Sequence, residues 1–323
     1  MIGVVQIPQA RAYEVAERVD KWERHNARAL IELACDVRSD APFSAREVNL
    51  QLQQVHLAHV SATPHRVTRD DQVIAGRPAD SIVVYAGLRG DALVETGDLR
   101  TVLRPGQLLV CDADRPLVRG FGHGLEELAI KVPRRAFEAL TGTPSLAAPL
   151  VLDAGGRGDN AYARALVRVV GRAVAATVPV PADEQAVLEL VAVLATGGRA
   201  TSPLAHRAAA RAFIDDHLTD PGLSATAVAA GANISERHLS RLFADAGTSV
   251  PRHILARRLD LAHTRLAHDS EGLRVADIAS MCGFTSLAHF SATFRRRFGT
   301  TPAEVRRACA EDSPRTTATL APA

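Results

Sequence analysis

GFTSLAHFSATFRRRFGTTPAEVRR, residues 283–307, is the stretch that decides the fold of the C-terminal third of this chain. Phe290, Phe294 and Phe298 recur every four residues, a spacing that places their rings on one face of a helix. Three arginines at 295–297 stand beside this face, and the Gly-Thr-Thr-Pro segment at 299–302 ends the pattern. The stretch therefore predicts a helix with a buried aromatic face and a positively charged flank.

This segment has a counterpart about fifty residues upstream. Residues 228–243, VAAGANISERHLSRLF, align with residues 278–294, IASMCGFTSLAHFSATF. Both follow one plan of helix, glycine-containing turn, serine and second helix, which predicts two helix-turn-helix units. The matched pairs are Ala229 with Ala279, Ser235 with Ser286, Leu239 with Phe290, and Phe243 with Phe294.

The turns and the spacer of this repeat carry further expectations. Gly231 and Gly283 stand where the chain leaves each first helix, so both are expected to allow a positive φ. Ser235 and Ser286 are placed to accept hydrogen bonds at the start of each second helix. Residues 251–267 predict a spacer helix of roughly 25 Å. Such a spacer suits two reading helices roughly 34 Å apart, in successive major grooves of one DNA duplex.

Positive charge is concentrated in the same part of the chain. Residues 206–308 contain fourteen arginines, no lysine and ten acidic residues, a net charge of +4, whereas the whole chain carries +2. The rest of the chain is therefore slightly acidic. A basic C-terminal third on an acidic body favours a polyanionic partner, although a charge of +4 also fits a solvated surface.

The preceding residues predict a β-rich region followed by helices. Residues 46–132 hold short runs of Val, Ile and Leu separated by turn signals at about ten-residue spacing, which is typical of a sandwich or small barrel. Residues 9–34 are expected to form one or two helices. Three more helices are predicted after the β-rich region, from Pro133 to Gly142, at 160–178 and at 183–195, with connections at 144–158 and 197–203.

Three stretches in the C-terminal third of the chain match the sequence pattern of a known family. SERHLSRLFADAGTSVPRHI, ARRLDLAHTRL and DIASMCGFTSLAHFSATFRRRFGTTPAEVRR together resemble the DNA-binding domain of AraC/XylS transcriptional regulators. The resemblance covers about residues 206–308. It implies a C-terminal all-α domain with two helix-turn-helix motifs joined by a linker helix, and double-stranded DNA as the partner.

The resemblance also implies which residues contact DNA. The base-contacting positions would be Arg237, Ser240 and Arg241 in the first unit, and Leu287, Ala288, Ser291 and Ala292 in the second. The second unit departs from the family at Ala292, where an arginine is common, so it would contact thymine methyls or follow DNA shape. Leu287 could equally belong to the core. The phosphate-contacting candidates are Ser235, Ser286, Arg295, Arg296 and Arg297.

The N-terminal residues resemble the cupin-related sensor domains of the same family, with LRPGQLLVCDADRP at 103–116 as the best local match. The expected fold class is α+β with two domains, the N-terminal one β-rich and cupin-like with helices. The expected boundaries are 1–142 for a sensor domain and 143–205 for a helical dimerisation or linker region. The DNA-binding domain follows at 206–308, and 309–323 is expected to be a disordered tail.

Composition excludes several other classes of protein. No apolar run approaches the length of a membrane span, and the N-terminus lacks the long apolar core of a secretory signal. Four widely spaced cysteines suggest free thiols in a reducing compartment. The sequence therefore predicts a cytoplasmic protein. The expected partners are promoter or operator DNA, an unidentified small-molecule effector, a second copy of the chain and RNA polymerase, with no membrane.

Two alternatives stay open beside an effector-responsive activator. One is a constitutive DNA-binding dimer without a ligand. The other is a cupin-type metalloenzyme attached to a DNA-binding domain, since His56, His59, His65 and His123 invite a metal site. His56 and His59 are three residues apart, which places them on opposite faces of a strand. The sequence accordingly predicts hydrogen-bonded histidines, no metal, no cofactor and no enzyme activity.

Overall fold

The computed structural model describes residues 11–16, 19–37, 42–155, 160–175, 180–197, 202–268 and 272–312. Strands dominate the first half of these residues. The strands are β1 Arg11–Ala16, β2 Ala34–Asp36, β3 Ser44–Gln51, β4 His56–Ala62, β5 His65–Arg69, β6 Ser81–Arg89, β7 Ala92–Thr96, β8 Leu99–Leu103, β9 Gln107–Asp112, β10 Leu117–Phe121, β11 Leu125–Pro133 and β12 Leu150–Asp153.

Helices are interspersed among the strands and make up the second half. They are α1 Val19–Ala29, α2 Asp71–Gly76, α3 Arg134–Thr141, α4 Ala161–Ala173, α5 Glu184–Ala195, α6 Ser202–Asp216, α7 Ala225–Gly231, α8 Glu236–Asp245, α9 Val250–Ala267, α10 Val275–Met281, α11 Leu287–Phe298 and α12 Pro302–Asp312. None of the helices in the described ranges combines the length and apolar content needed to cross a bilayer.

The strands form two antiparallel sheets, as expected for a β-rich N-terminal domain. One sheet has seven strands in the order β1-β3-β4-β11-β6-β9-β12, and the other has five in the order β2-β5-β10-β7-β8. Strand β6 shows how sequence alternation builds two cores. Val83 and Tyr85 face the five-stranded sheet, whereas Ile82, Val84 and Ala86 face the helices. The seven-stranded sheet is therefore buried on both faces in its middle, which explains its nearly continuous apolar runs.

Strands β1 and β12 were missing from the sequence prediction, as was the short β2, Ala34–Asp36. Residues 11–16 form β1, which pairs with β3, rather than part of a helix, and only 19–29 are helical within the segment 9–34. Residues 150–153 form β12, which pairs with β9 inside the predicted connection 144–158. In both cases the free edge of a neighbouring strand supplies the hydrogen bonds, and that edge is distant in sequence.

Helices α3, α4 and α5 cover the outer face of the seven-stranded sheet, and Phe137, Leu166 and Val191 are fully buried there. The predicted stop at Gly142 is confirmed, since this residue ends α3 with φ 73°. Helix α6 then takes part in two cores. Leu204, Ala208 and Ala212 pack with the sheet and its helices, and Ile214 packs with the C-terminal helices.

Helices α7 to α12 surround the C-terminal core. They form two helix-turn-helix units, α7 with α8 and α10 with α11, and α9 lies between the units. This confirms the α+β two-domain class. Helix α6 crosses the expected boundary at 206, and α12 continues to Asp312, so residues 309–312 of the expected tail are helical. Residues 313–323 and most of the expected linker 197–203 lie outside the described residues.

Candidate nucleic-acid interface

The first helix-turn-helix unit presents its polar face to solvent. The Ser235 hydroxyl accepts a hydrogen bond from the backbone N–H of His238 at 3.2 Å and so begins α8. Leu239, Leu242 and Phe243 are buried in the C-terminal core. Because these apolar residues hold one face of α8, the opposite face is exposed; its residues include Arg237, Ser240 and Arg241.

The second unit is built around an aromatic row. Phe284 and Phe290 lie 4.9 Å apart between ring centroids, Phe290 and Phe294 5.4 Å, and Phe294 and Phe298 4.6 Å. His263 of α9 stacks on the Phe294 ring and lies tilted against the Phe298 ring. These contacts bury the aromatic face of α11 completely. The arginines that follow the aromatic residues in sequence lie on other sides of the helix.

The exposed face of α11 is mostly small and apolar. The Ser286 hydroxyl accepts from the backbone N–H of His289 at 3.3 Å and begins the helix. Leu287 is 48% exposed, which places it on the surface and not in the core. Ala288 and Ala292 are also exposed, and Ser291 is half-buried.

The three consecutive arginines have different surroundings. Arg295 and Arg296 are exposed. Arg297 instead donates from Nε and Nη2 to one carboxylate oxygen of Asp260 on α9, at 2.9 and 2.7 Å, and its side chain is 29% exposed. The expectation that Arg297 contacts phosphate therefore needs correction, because its guanidinium already joins α11 to α9.

The two turns use their glycines differently, which corrects another expectation. Gly283 has φ +83°, as predicted, and a Cβ there would lie 2.9 Å from Nε of Arg258. Gly231 is the last helical residue of α7, and the positive φ of that turn belongs to Asn233, at 55°. A Cβ on Gly231 would lie 2.1 Å from the Phe213 ring of α6. Close helix packing, rather than backbone conformation, requires this glycine.

Helix α9 connects the two units through Arg258. Its guanidinium donates from Nε to the carbonyl of Leu218 at 2.9 Å and from Nη2 to the carbonyl of Asp220 at 2.5 Å, both in the segment before α7. The same guanidinium lies against Gly283 in the turn of the second unit. One arginine thus links the segment before α7 to the turn of the second helix-turn-helix unit, a feature that no local sequence pattern revealed.

His238 joins the exposed face of α8 to α6. Its Nδ1 lies 3.0 Å from Nη2 of Arg241, and its Nε2 lies 3.1 Å from Nδ1 of His206. The two imidazole rings are nearly perpendicular, with centroids 5.1 Å apart. His238 therefore contacts one side chain on its own helix and one on α6.

A small cavity lies between the two sheets of the N-terminal domain. Its volume is about 30 Å³, room for little more than a water molecule. Its lining includes Trp22 and Asn26 from α1, Tyr85 from β6, Arg119 from β10 and Glu127 from β11. Helix α1 therefore forms part of the wall of this cavity. Tyr85 is both buried and part of the lining.

A buried ion pair faces this cavity. Arg119 donates two hydrogen bonds to the carboxylate of Glu127, at 2.9 and 2.5 Å, and its guanidinium lies 3.9 Å from the centre of the Tyr85 ring. Burial alone would lower the pKa of Arg119, but the Glu127 carboxylate outweighs burial and raises that pKa. The cavity wall therefore carries a charged, planar donor and a carboxylate in an apolar surrounding.

Comparison with known protein families decides what these two parts form. A model described as an AraC-binding-like domain matches residues 22–197, and one described as a helix-turn-helix domain matches residues 228–308. The first match alone covers more than half of the chain. The protein belongs to the AraC/XylS family. It is a DNA-binding transcriptional regulator whose β-rich domain precedes its helix-turn-helix units.

Individual relatives agree with this membership. The chain is 24% identical over 265 residues to the transcriptional activator NphR of a Rhodococcus species, covering 77% of this chain and 76% of NphR. It is 34% identical over 97 residues to the transcriptional activator RhrA of Rhizobium meliloti (strain 1021), which covers 30% of this chain but only 31% of RhrA.

Two solved structures are similar to this chain over different shares of its length. The AraC-like transcriptional activator CuxR aligns over 84% of this chain and 100% of its own, with a TM-score of 0.48 and 16% identity. An AraC-type regulator from Chromobacterium violaceum aligns over 33% of this chain and 94% of its own, with a TM-score of 0.31 and 31% identity.

Three of the four histidines considered for a metal site, His56, His59 and His65, have hydrogen-bonding partners. Nδ1 of His56 lies 3.0 Å from Gln51 and Nε2 lies 2.6 Å from Asn49, and burial lowers the pKa of His56 to about 4. Nε2 of His59 lies 3.1 Å from Glu126, and Nδ1 of His65 lies 2.8 Å from the carbonyl of Thr63. Within the described ranges no three His, Cys, Asp or Glu side chains come together as metal ligands.

Proposed function

We propose that this protein is an effector-responsive activator that recognises DNA through α8 and α11 in successive major grooves. The observation that carries the proposal is that two serine-capped helices expose one face each, while α9 and Arg258 connect them. The activator role is inferred from the names of RhrA and NphR. A dimer, contact with RNA polymerase and a cytoplasmic location belong to the same proposal.

Base recognition is assigned first to α8. Arg237 and Arg241 are exposed and suit bidentate contacts to guanine O6 and N7, and Ser240 lies between them in sequence. Helix α11 contributes Leu287, Ala288, Ser291 and Ala292, and its exposed apolar groups suit thymine methyls.

Phosphate contacts are assigned to Arg295 and Arg296 and to the starts of both recognition helices, at Ser235 and Ser286. The N-termini of α8 and α11 offer N–H groups to phosphates, while the two serine hydroxyls hold the first turns in place. Arg297 is assigned a structural role, because its ion pair with Asp260 holds α11 against α9.

The effector is proposed to enter the cavity beside Arg119, Glu127 and Tyr85. Because the cavity has a volume of only about 30 Å³, a ligand must displace part of its wall, and α1 with Trp22 is the segment that covers the sheets there. A planar ligand with a polar group would suit the stacked Tyr85 and the Arg119–Glu127 pair. The domain limits 1–142, 143–205 and 206–308 remain part of this proposal.

Selection from random-sequence duplexes with the full-length protein tests the DNA-reading role. We expect one enriched sequence with two half-sites about one helical turn apart. Arg241→Ala should weaken binding to that sequence by about 5- to 150-fold and binding to random DNA much less. Equal losses on both DNAs would show that Arg241 contacts phosphate only, and no enrichment would contradict the proposed function.

The small volume of the cavity favours a second candidate, a constitutive DNA-binding dimer without a ligand. A thermal-shift screen of the full-length chain against small metabolites and aromatic acids separates the two. A ligand at 100 times its Kd stabilises the folded state by about 2.7 kcal/mol and raises the Tm. A rise that disappears in Tyr85→Ala supports the effector site. No rise across the panel, with unchanged selection of DNA, supports the constitutive candidate.

A further inference from the structure

The side chains of Arg241, His238 and His206 form a hydrogen-bonded row at the first recognition helix. Nη2 of Arg241 is 3.0 Å from Nδ1 of His238, and Nε2 of His238 is 3.1 Å from Nδ1 of His206. Arg241 and His238 belong to α8, whereas His206 belongs to α6. Arg241 is exposed and both histidines are half-buried, so this row of side chains runs from the surface towards the interior.

The chemistry of the three groups fixes where their protons lie. A guanidinium group only donates, so Nδ1 of His238 must accept and carries no proton. In a neutral ring the proton is then on Nε2, which donates to Nδ1 of His206, and His206 carries its own proton on Nε2. The arrangement therefore requires His238 to be neutral. A second proton on His238 would place two N–H donors and two positive charges face to face.

We propose that His238 is a positioning residue for Arg241, and that its neutral ring, oriented by His206, makes recognition of one base pair dependent on pH. The proposal rests on the proposed function, in which Arg241 contacts a guanine. A hydrogen bond to one nitrogen restricts the rotation of the guanidinium and leaves its other N–H groups for the base. Loss of that hydrogen bond frees Arg241 to move and reduces discrimination between base pairs.

Few other groups face the histidine pair. Helix α7 packs against α8 and contains no titratable side chain. On α6, Arg207 is paired with Glu189, and Arg211 lies over the Phe243 ring and contacts Asp183. His253 of α9 is beside Asp183 and Phe243 rather than His238. Among the residues that the structure describes, the side chains in contact with His238 are thus those of His206 and Arg241. Histidine is the residue type whose charge changes within the physiological pH range.

The repeat in the sequence supplies a matched internal control. His289 occupies the position in α11 that His238 occupies in α8, and each follows its capping serine by three residues. Three residues beyond His289 stands Ala292 instead of an arginine. A change at His289 therefore tests for general effects of a histidine at this helix position without an arginine to hold.

The test uses the full-length protein and the duplex enriched by selection at pH 7.5. The base pair at which Arg241→Ala loses its preference identifies the Arg241 contact, and a second duplex carries a substitution at that pair. Discrimination is the ratio of the two Kd values, measured by fluorescence anisotropy between pH 5.5 and 8. We expect wild-type discrimination to fall by about 2- to 10-fold as the pH is lowered. Affinity for the substituted duplex should not fall, because added positive charge favours non-specific binding.

Variants of the two histidines sharpen the test. His238→Ala should show, at every pH, the low discrimination that the wild type shows at pH 5.5. His238→Asn keeps an acceptor near the position of Nδ1 but does not titrate, so it should discriminate well with a flat pH profile. His206→Phe removes the hydrogen-bond acceptor that fixes the tautomer of His238. At pH 8 its discrimination should lie between that of the wild type and that of His238→Ala. His289→Asn should show the wild-type pH profile, and Tm measurements verify that each variant is folded.

The outcomes separate this proposal from the proposed function. The proposal is wrong if His238→Ala discriminates like the wild type at pH 8, or if His238→Asn shows the wild-type pH dependence. If DNA is selected but Arg241→Ala discriminates normally, Arg241 is not the base contact and the positioning role fails with it. If no DNA is selected, the proposed function itself fails.

Discussion

At the scale of single residues, two glycines in equivalent turns are required for different reasons. Gly283 needs its positive φ, whereas Gly231 is helical and needs the absence of a side chain beside Phe213. The Phe213 ring is itself stacked on His217, with centroids 4.0 Å apart, so it has little room to move. Helix α7 can therefore approach α6 this closely because Gly231 has no Cβ.

Gly231→Ala should destabilise the protein by about 1–3 kcal/mol, because its Cβ overlaps the Phe213 ring. The higher helix propensity of alanine, about 1 kcal/mol, offsets part of this loss. Gly76→Ala is the matched control, since Gly76 is also the last residue of a helix and no atom lies within 4 Å of its Cβ position. Urea unfolding of both variants is the measurement, and equal stabilities would refute the packing argument.

At the scale of elements, the triple arginine at the end of α11 divides into two functions. Arg296 points to solvent, whereas Arg297 fixes the orientation of α11 by its two hydrogen bonds to Asp260 on α9. Neighbouring residues on a helix point about 100° apart, so the division follows from helix geometry. A substitution in this run should therefore change either DNA binding or stability.

Arg296→Ala should reduce the slope of log Kd against log salt concentration by about 0.9, the value for one phosphate contact, and leave the Tm unchanged. Arg297→Ala should instead lower stability by about 1 kcal/mol, since the pair is partly exposed and screened by solvent. Salt titrations of DNA binding and thermal unfolding of both variants measure these effects. The same salt slope and Tm in the two variants would contradict the division.

The elements also show how much of this molecule the sequence could predict. Apolar spacing and serine caps are local, and they predicted α8, α11, Ser235 and Ser286 with their neighbours in the core. The resemblance added the expected DNA-facing positions. Strands β1 and β12, the Arg297–Asp260 pair and the role of Gly231 depend on partners far away in sequence. Periodicity carries no information about such partners.

At the scale of the whole molecule, buried charges join the β-rich domain to the DNA-binding domain. Asp183 begins α5, which packs on the seven-stranded sheet, and its carboxylate lies 2.7 Å from Arg211 of α6 and 3.2 Å from His253 of α9. His253 in turn packs against Phe243, a core residue of the first recognition helix. His253 is therefore the side chain through which a displacement at the start of α5 would reach Phe243 of α8.

Asp183→Asn should lower stability by about 3 kcal/mol near pH 7, because it removes the Asp183 charge beside the buried Arg211 and His253, while Arg211 keeps Glu189 at 3.4 Å. Burial alone would raise the pKa of Asp183, but the neighbouring imidazole of His253 and the charges of Arg211 and Arg257 lower it below the ordinary range. A carboxylate with a lowered pKa stabilises the folded state above its unfolded pKa of about 3.9, and this contribution disappears as the pH falls through the lowered value. The part of this stability difference that comes from the Asp183 carboxylate should thus shrink below about pH 4.

Asp216→Asn is the matched control for this network, because Asp216 also joins helices of the two parts, pairing with Arg168 and Arg172 of α4, but does so at the surface. Its loss should cost less than about 1 kcal/mol, as expected for exposed ion pairs. Thermal unfolding of both variants between pH 3 and 7, with and without an effector found by thermal shift, measures stability and coupling together. If Asp183→Asn is no less stable than Asp216→Asn and still transmits the effector to DNA binding, the buried charges are not the connection between the two domains. The signal would then have to pass through the apolar contacts of α6, which packs with Leu204 and Ala208 in one core and with Ile214 in the other.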